Sequence, residues 1–298
     1  MRRVVLNQSR ICYFFDEKKK RSIIAGKSWW VFKSTAAGCQ AVRDIFLVFV
    51  IIIVIIMYTN NNSNNNNRRT RAIKILYCTG NSGKFAEATI IVNNWVKERN
   101  HKNGFVNIVL VQAEPEIDEI QHDDERQISV QKCVSAYESV RYTGELTIDI
   151  DFVVTEDVGL RLNCLNGFPG AYIKPMMEKI GIGGLAKLVE KYDEEDRSAE
   201  ATCSLAVLET SVAFKYPLFV EKCVNVFEGT IKGKIVTVPR GNVQHGKQSW
   251  NACFEVSNEE GEGEFSNGST FGELSYEQQS QISHRKKAIE AFLNSINI

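Results

Sequence analysis

The sequence predicts an α/β fold with a mixed sheet, and three observations carry that expectation. Along residues 72–298, short apolar runs rich in Val, Ile and Leu alternate with segments whose apolar residues recur at helical spacing. The first run enters a polar Gly/Asn/Ser turn and then a helical pattern, the order of a βα unit. Three later runs follow one another as strands before a closing helix.

Taken in order, residues 72–78 read as a strand, and Phe85, Ala88, Ile91, Val92, Trp95 and Val96 mark the helix after it. Residues 106–111 (VNIVLV) read as a strand. Residues 126–142 read as a helix with Ile128, Val134, Tyr137 and Val140 roughly on one face. FVVTEDVGLRL (152–162) is a buried strand running into acidic residues, with Glu156 and Asp157 ending its apolar part. Residues 172–191 read as two short helices around Gly181, Gly183 and Gly184. Residues 200–209, 219–229 and 233–238 read as three strands, and Ile289, Phe292, Leu293 and Ile296 mark the last helix.

A length of 298 residues allows one large domain or two small ones. The zero formal charge hides an uneven split: residues 1–71 hold 13 Lys/Arg against 3 Asp/Glu, and the remainder 23 against 33. The acidic remainder argues against a nucleic-acid surface, so a polyphosphate would be held by a few placed lysines and a metal. The eight cysteines contain no C-x-x-C pair, which excludes a zinc knuckle or thioredoxin-like site. Cys78, Cys133 and Cys203 lie in apolar-periodic segments as buried thiols, consistent with a reducing, cytoplasmic location.

Residues 45–58 (IFLVFVIIIVIIMY) are fourteen apolar residues without a charge. As a helix they would span about 21 Å, short of the roughly 30 Å hydrocarbon core. Membrane contact is expected only through this run. An Asn-rich linker follows, and three readings of the segment stand: a short anchor, a disordered leader, or translated sequence absent from the mature protein. The expected organisation is a leader over 1–71, outside the fold, and a catalytic domain over 72–298.

TGNSGK (79–84), between strand and helix, is placed to aim backbone N–H groups and a helix N-terminus at an anion. It is not a P-loop, because the first glycine would fall at Cys78 and the hydroxyl residue at Phe85. An ordinary βα turn with a surface lysine is the bland alternative. EPEIDEIQ (114–121) gathers carboxylates before a helix, as a cation site or a solvated loop. Glu156 and Asp157 are placed to hold a hard cation. Gly167, Pro169 and Gly170 shape a tight loop that delivers Lys174.

Together these segments resemble the inosine triphosphate pyrophosphatase family. The resemblance runs from about Ala72 to the C-terminus and rests on TGNSGK with Glu87, SVQKC (129–133), EDVGL with NGFPGAYIK (156–174), GKIVTVPRG (233–241), WNACF (250–254) and SHR (283–285). It implies an elongated α/β fold with two lobes about a central active-site cleft, in a homodimer. It also implies Mg²⁺-dependent cleavage (with Mn²⁺ as a substitute) of purine nucleoside triphosphates such as ITP, dITP and XTP to monophosphate and pyrophosphate. By matching position, Thr79, Gly80, Asn81, Ser82, Gly83 and Lys84 would hold the triphosphate, with Lys132 and Lys174 adding charge. Glu119 and Asp157 would bind the metal, Asp157 would position or deprotonate the attacking water, and Trp250, Asn251, Ser283, His284 and Arg285 would line the base.

The departures from the family pattern lie at the base end. Gln248 stands where an aromatic residue is usual, Asn251 where an acid is usual, and Gln279 where a lysine is common. An acidic insertion, NEEGEGEFSNGSTFGE, follows. Two alternatives therefore stand beside the pyrophosphatase reading: a nucleotide-binding protein without turnover, and a pyrophosphatase with shifted base preference.

Overall fold

The computed structural model describes residues 2–4, 12–16, 21–25, 29–33 and 71–296, apart from 104, 118–119, 145, 147–148, 194, 243–248 and 258–267. The chain divides into two compact units, Met1–Arg71 and Ala72–Ile298. In the first, strands β1 (Arg2–Val4), β2 (Cys12–Asp16), β3 (Arg21–Ala25) and β4 (Trp29–Lys33) form an antiparallel meander. The sequence reading assigned no strand here, although CYFFD, RSIIA and WWVFK carry the aromatic and β-branched residues that favour one. Residues 45–58 lie outside the described residues. Among those described, no helix is long and apolar enough to cross a membrane.

The second unit is mixed α/β. Its seven-stranded sheet contains β5 (Ile73–Cys78), β6 (Ile108–Ala113), β7 (Phe152–Leu162), β8 (Pro169–Gly170), β9 (Ser198–Glu209), β10 (Val224–Ile235) and β11 (Phe254–Val256). The order is β11-β10-β9-β7-β5-β6, with β8 beside β7. β5 pairs in parallel with β6 and β7, whereas β7, β9, β10 and β11 pair antiparallel. The helices are α1 (Ser82–Asn103), α2 (Glu125–Thr143), α3 (Ile173–Tyr192), α4 (Thr210–Lys215), α5 (Tyr276–Ile282) and α6 (His284–Ser295).

Period-two alternation distributes the sheet between two helical layers. Val154, Leu205 and Val207 pack with Ala88, Ile91 and Trp95 of α1 and Ile289 and Phe292 of α6. Val153, Ala206 and Leu208 face the other way, onto Cys133, Ala136, Tyr137 and Val140 of α2. A third cluster joins Leu160, Leu162, Ala201, Ile231 and Ile235 to Met177, Leu185 and Val189 of α3 and to Trp250, Phe254 and Phe271.

Two expectations are corrected. The two strands read at 219–229 and 233–238 are one twelve-residue strand, β10, preceded by a 3₁₀ turn at Val220–Cys223. Its glycines suggested a break but serve close approach: a Cβ on Gly229 would lie 2.0 Å from the His284 carbonyl oxygen, and one on Gly233 2.3 Å from that of Glu255. Glu156 and Asp157 lie mid-strand, because β7 continues to Leu162 along β9. The region read as two short helices is borne out: α3 consists of two helical segments that meet at Gly181, whose non-helical backbone (φ of 64°) is open to glycine at little cost.

Candidate active site

The cleft begins where the sheet parts. β5 pairs with β7 only from Ile75–Phe152 to Tyr77–Val154; β5 then ends at Cys78 while β7 runs on beside β9. The polar turn of residues 79–81 and the first turn of α1 face residues 155–158 of β7 across a cavity of about 840 Å³. Its lining includes Thr79, Gly80, Asn81, Lys84, Lys132, Asp157, Lys174, Trp250, Asn251, Ser283, His284 and Arg285. Ser82 and Gly83 lie in the α1 turn behind that lining. Glu119 and Gln248 lie outside the described residues.

Asn81 organises the turn. Its Oδ1 accepts the Gly83 and Lys84 amides at 3.0 and 3.1 Å, and its own amide donates to Thr79 Oγ1 at 3.2 Å. Those two helix-terminal donors are thus held by the chain itself, and the Lys84 side chain carries the charge into the cleft. Lys84 Nζ lies 2.9 Å from Glu156 Oε1.

Glu156 and Asp157 point to opposite faces of β7. Asp157 turns toward α2, where Lys132 Nζ donates to its Oδ1 at 2.8 Å. Glu156 turns toward α1 and α6 and is buried. Arg285 donates to it twice, from Nε and Nη2, both at 2.8 Å, and Tyr77 donates from its hydroxyl. Arg285 also pairs with Glu87, which accepts a hydrogen bond from Ser283. Two carboxylates and two cations thereby form a charge-balanced network that is buried except at Lys84, which opens onto the cleft. Burial, the largest single influence, opposes ionisation of Glu156, but Arg285 and Lys84 outweigh it and hold its carboxyl well below the usual range. Burial also opposes the Arg285 charge, and Glu156 and Glu87 overcome it, raising its pKa further.

At the other end, the His284 ring lies tilted against Trp250 and Phe271, with centroids at 5.8 and 6.0 Å. Phe271 belongs to the stretch read as an acidic insertion; it lines the cleft and sits in a 3₁₀ turn, Phe271–Glu273. Glu273 caps it by accepting from the Thr270 amide at 2.9 Å. Gln279 is buried beside it, its Nε2 donating to the Phe271 and Leu274 carbonyls at 2.8 and 3.1 Å. Asn251 is buried on the same wall, in a turn capped by Ser249.

The sequence reading gave no role to Glu87 or Phe271. Both had a signal. Glu87 shares the buried face of α1 with Ala88 and Ile91, where a carboxylate needs a partner. Thr270 and Glu273 have capping-box spacing, which marks an ordered turn at Phe271.

Residues 75–295 match the model of the Ham1 family. The chain belongs to the Ham1 family. Among its relatives, a dITP/XTP pyrophosphatase of Methanosarcina mazei is 30% identical over 221 residues, covering 74% of this chain and 95% of that protein. Inosine triphosphate pyrophosphatase 2 of Trypanosoma cruzi is 33% identical over 218 residues, covering 73% and 89%. The Ham1 fold is seen in a HAM1 protein from Coxiella burnetii, with a TM-score of 0.53 at 22% identity, covering 74% of this chain and 97% of that one.

The cleft's donors suit a hard cation. Asp157 presents a carboxylate beside the polar turn, and Glu114 and Glu116 also line the cavity, so the available acidic ligands are oxygen donors. Among the described residues, no group of three or more His, Cys, Asp or Glu side chains is assembled to hold a metal.

Proposed function

We propose that this Ham1-family chain is a pyrophosphatase that converts nonstandard purine nucleoside triphosphates, ITP, dITP and XTP among them, to the monophosphate and pyrophosphate. The observation that carries this reading is the single cleft joining Lys84, Lys132, Lys174 and Asp157 to Trp250, Asn251 and the Ser283–Arg285 segment. The names borne by its relatives support the substrate class.

Mg²⁺, held by Asp157 with Glu119, would neutralise charge on the phosphate oxygens. Lys84, Lys132 and Lys174 bind the triphosphate and stabilise the leaving group. Asp157 orients a water and takes its proton as the water oxygen bonds to the α-phosphorus. The bond from that phosphorus to the bridging oxygen breaks, and pyrophosphate leaves with the electron pair. Buried between Glu87 and Glu156, Arg285 braces the start of α6 and so sets Ser283 and His284 against the base.

The neutral Asn251 favours a second reading, a weakened base preference. A carboxylate accepting a purine N–H forms a charged hydrogen bond, worth about 1 kcal/mol more than one to an amide. One experiment addresses both readings: a nucleotide panel with Mg²⁺, its products identified by phosphorus NMR, in the native chain and in Asn251→Asp. Pyrophosphate from ITP is expected, with a several-fold larger ITP-to-ATP ratio of kcat/KM in the variant. IDP and orthophosphate would refute the reaction, whereas an unchanged ratio would show that Asn251 does not read the base.

A further inference from the structure

A carboxylate behind the cleft stands outside the machinery described so far. Glu125 is the first residue of α2, a position normally open to water, yet it is only 4% exposed. Its Oε2 accepts from Thr202 Oγ1 at 2.6 Å, and Arg161 Nη2 approaches Oε1 to 3.4 Å. Gly159 makes the room: a Cβ there would lie 2.2 Å from Glu125 Oε1 and 2.6 Å from Thr202 Oγ1. Gly159 and Thr202 are cross-strand partners on β7 and β9, so the carboxylate is seated over one rung of the sheet.

This seat lies on the same pair of surfaces as the Lys132–Asp157 contact. Lys132 follows Glu125 by about two helical turns and so shares its face of α2. Asp157 precedes Gly159 by one strand period and so shares its face of β7. Between the two rungs, α2 meets the sheet through buried Ile128 and Ser129, and Thr155 Oγ1 of β7 donates to the Ser129 carbonyl at 3.1 Å. That bond holds a single point, and the apolar packing around it is non-directional and does not fix how far the helix turns about that point. A buried hydrogen-bonded carboxylate does, because leaving its seat would strand it without partners.

We propose that Glu125 is a positioning residue that sets the register of α2 on β7 and thereby holds Lys132 on Asp157. This rests on the pyrophosphatase reading for its catalytic consequence, though not for its geometry.

The test uses the full chain carrying Glu125→Ala, Glu125→Gln or Gly159→Ala, each in native and Lys132→Ala backgrounds. Two quantities are read: turnover of ITP in both backgrounds and, in the native background, the rate of reductive methylation of Lys132 by mass spectrometry, with the exposed Lys191 as internal control. Glu125→Ala is expected to lower kcat about tenfold with KM little changed, the scale of a small misplacement of a catalytic group. It should raise Lys132 methylation several-fold while leaving Lys191 unchanged. Glu125→Gln, which keeps the volume and an acceptor for Thr202, should restore both quantities. In the Lys132→Ala background, Glu125→Ala should cost almost nothing further. Unchanged Lys132 labelling in folded Glu125→Ala, or a loss of turnover that simply adds to that of Lys132→Ala, would overturn the proposal. Should Glu125→Ala fail to fold, Gly159→Ala, which crowds the carboxylate from its seat, decides by the same two readings. Should the native chain cleave no nucleotide, the pyrophosphatase reading fails by itself, and the labelling result alone supports or overturns the positioning role.

Discussion

Glu156 and Asp157 are neighbours in the chain, yet β7 turns one toward α1 and α6 and the other toward α2. Asp157 reaches the cleft with one lysine on it, while Glu156 anchors a buried network. Substituting each should therefore fail differently. Asp157→Asn should fold normally and lower kcat at least about 100-fold, the scale of a lost general base. Near-native turnover would remove Asp157 from the role. Glu156→Gln should instead unfold more easily, because it leaves the buried Arg285 with Glu87 as its one charged partner, at a cost below the roughly 3–5 kcal/mol of a wholly uncompensated buried charge. The Glu156 pKa is depressed in the folded state, so its stabilisation is present above the unfolded glutamate value of about 4.3 and is lost as pH falls through the lower folded value. In urea titrations, native stability should therefore fall through that acid window and the Glu156→Gln curve should be flatter there. Parallel curves would refute the linkage.

The elements legible in the sequence were those long enough to show a period. The span of β7, residues 152–162, was legible because its eleven residues are rich in valine and leucine, but the acidic pair within it was misread as the end of its apolar part. Ser283 caps α6, its Oγ accepting the Lys286 amide at 3.1 Å. β11, three residues long, and α4, six residues long, were missed because neither completes two periods of its pattern. β10 was read as two strands because local sequence cannot tell a glycine that ends a strand from one that admits a neighbour. The polar turn from Thr79 to Lys84 was legible as the junction of strand and helix, but the pairing of Lys84 with Glu156 was not, since it depends on a residue 72 positions away. The glycine argument predicts that Gly229→Ala, whose new Cβ would meet the His284 carbonyl and the Ala288 amide nitrogen, displaces α6. Overpacking of this kind costs about 1–3 kcal/mol, and KM for ITP should rise because Ser283 and His284 shift with the helix. A native melting temperature and KM would show that α6 accommodates the methyl group.

Within the Ala72–Ile298 unit, the parting of β5 from β7 sets both the site and what it requires. All three apolar clusters are built from residues of this unit, and so is every described residue of the cleft. The described strands of the Met1–Arg71 unit pair with one another. A domain with its own closed core folds independently when the flanking chain adds no contacts to that core. A chain shortened to begin at Thr70 should therefore be soluble, melt cooperatively and turn over ITP within about twofold of the full-length rate, since no binding or catalytic group is removed. The measurement is kcat/KM on both chains at matched concentration, with melting followed by circular dichroism. An insoluble or inactive shortened chain would show that the basic leader supplies part of the fold or the site, and would overturn the boundary at Arg71.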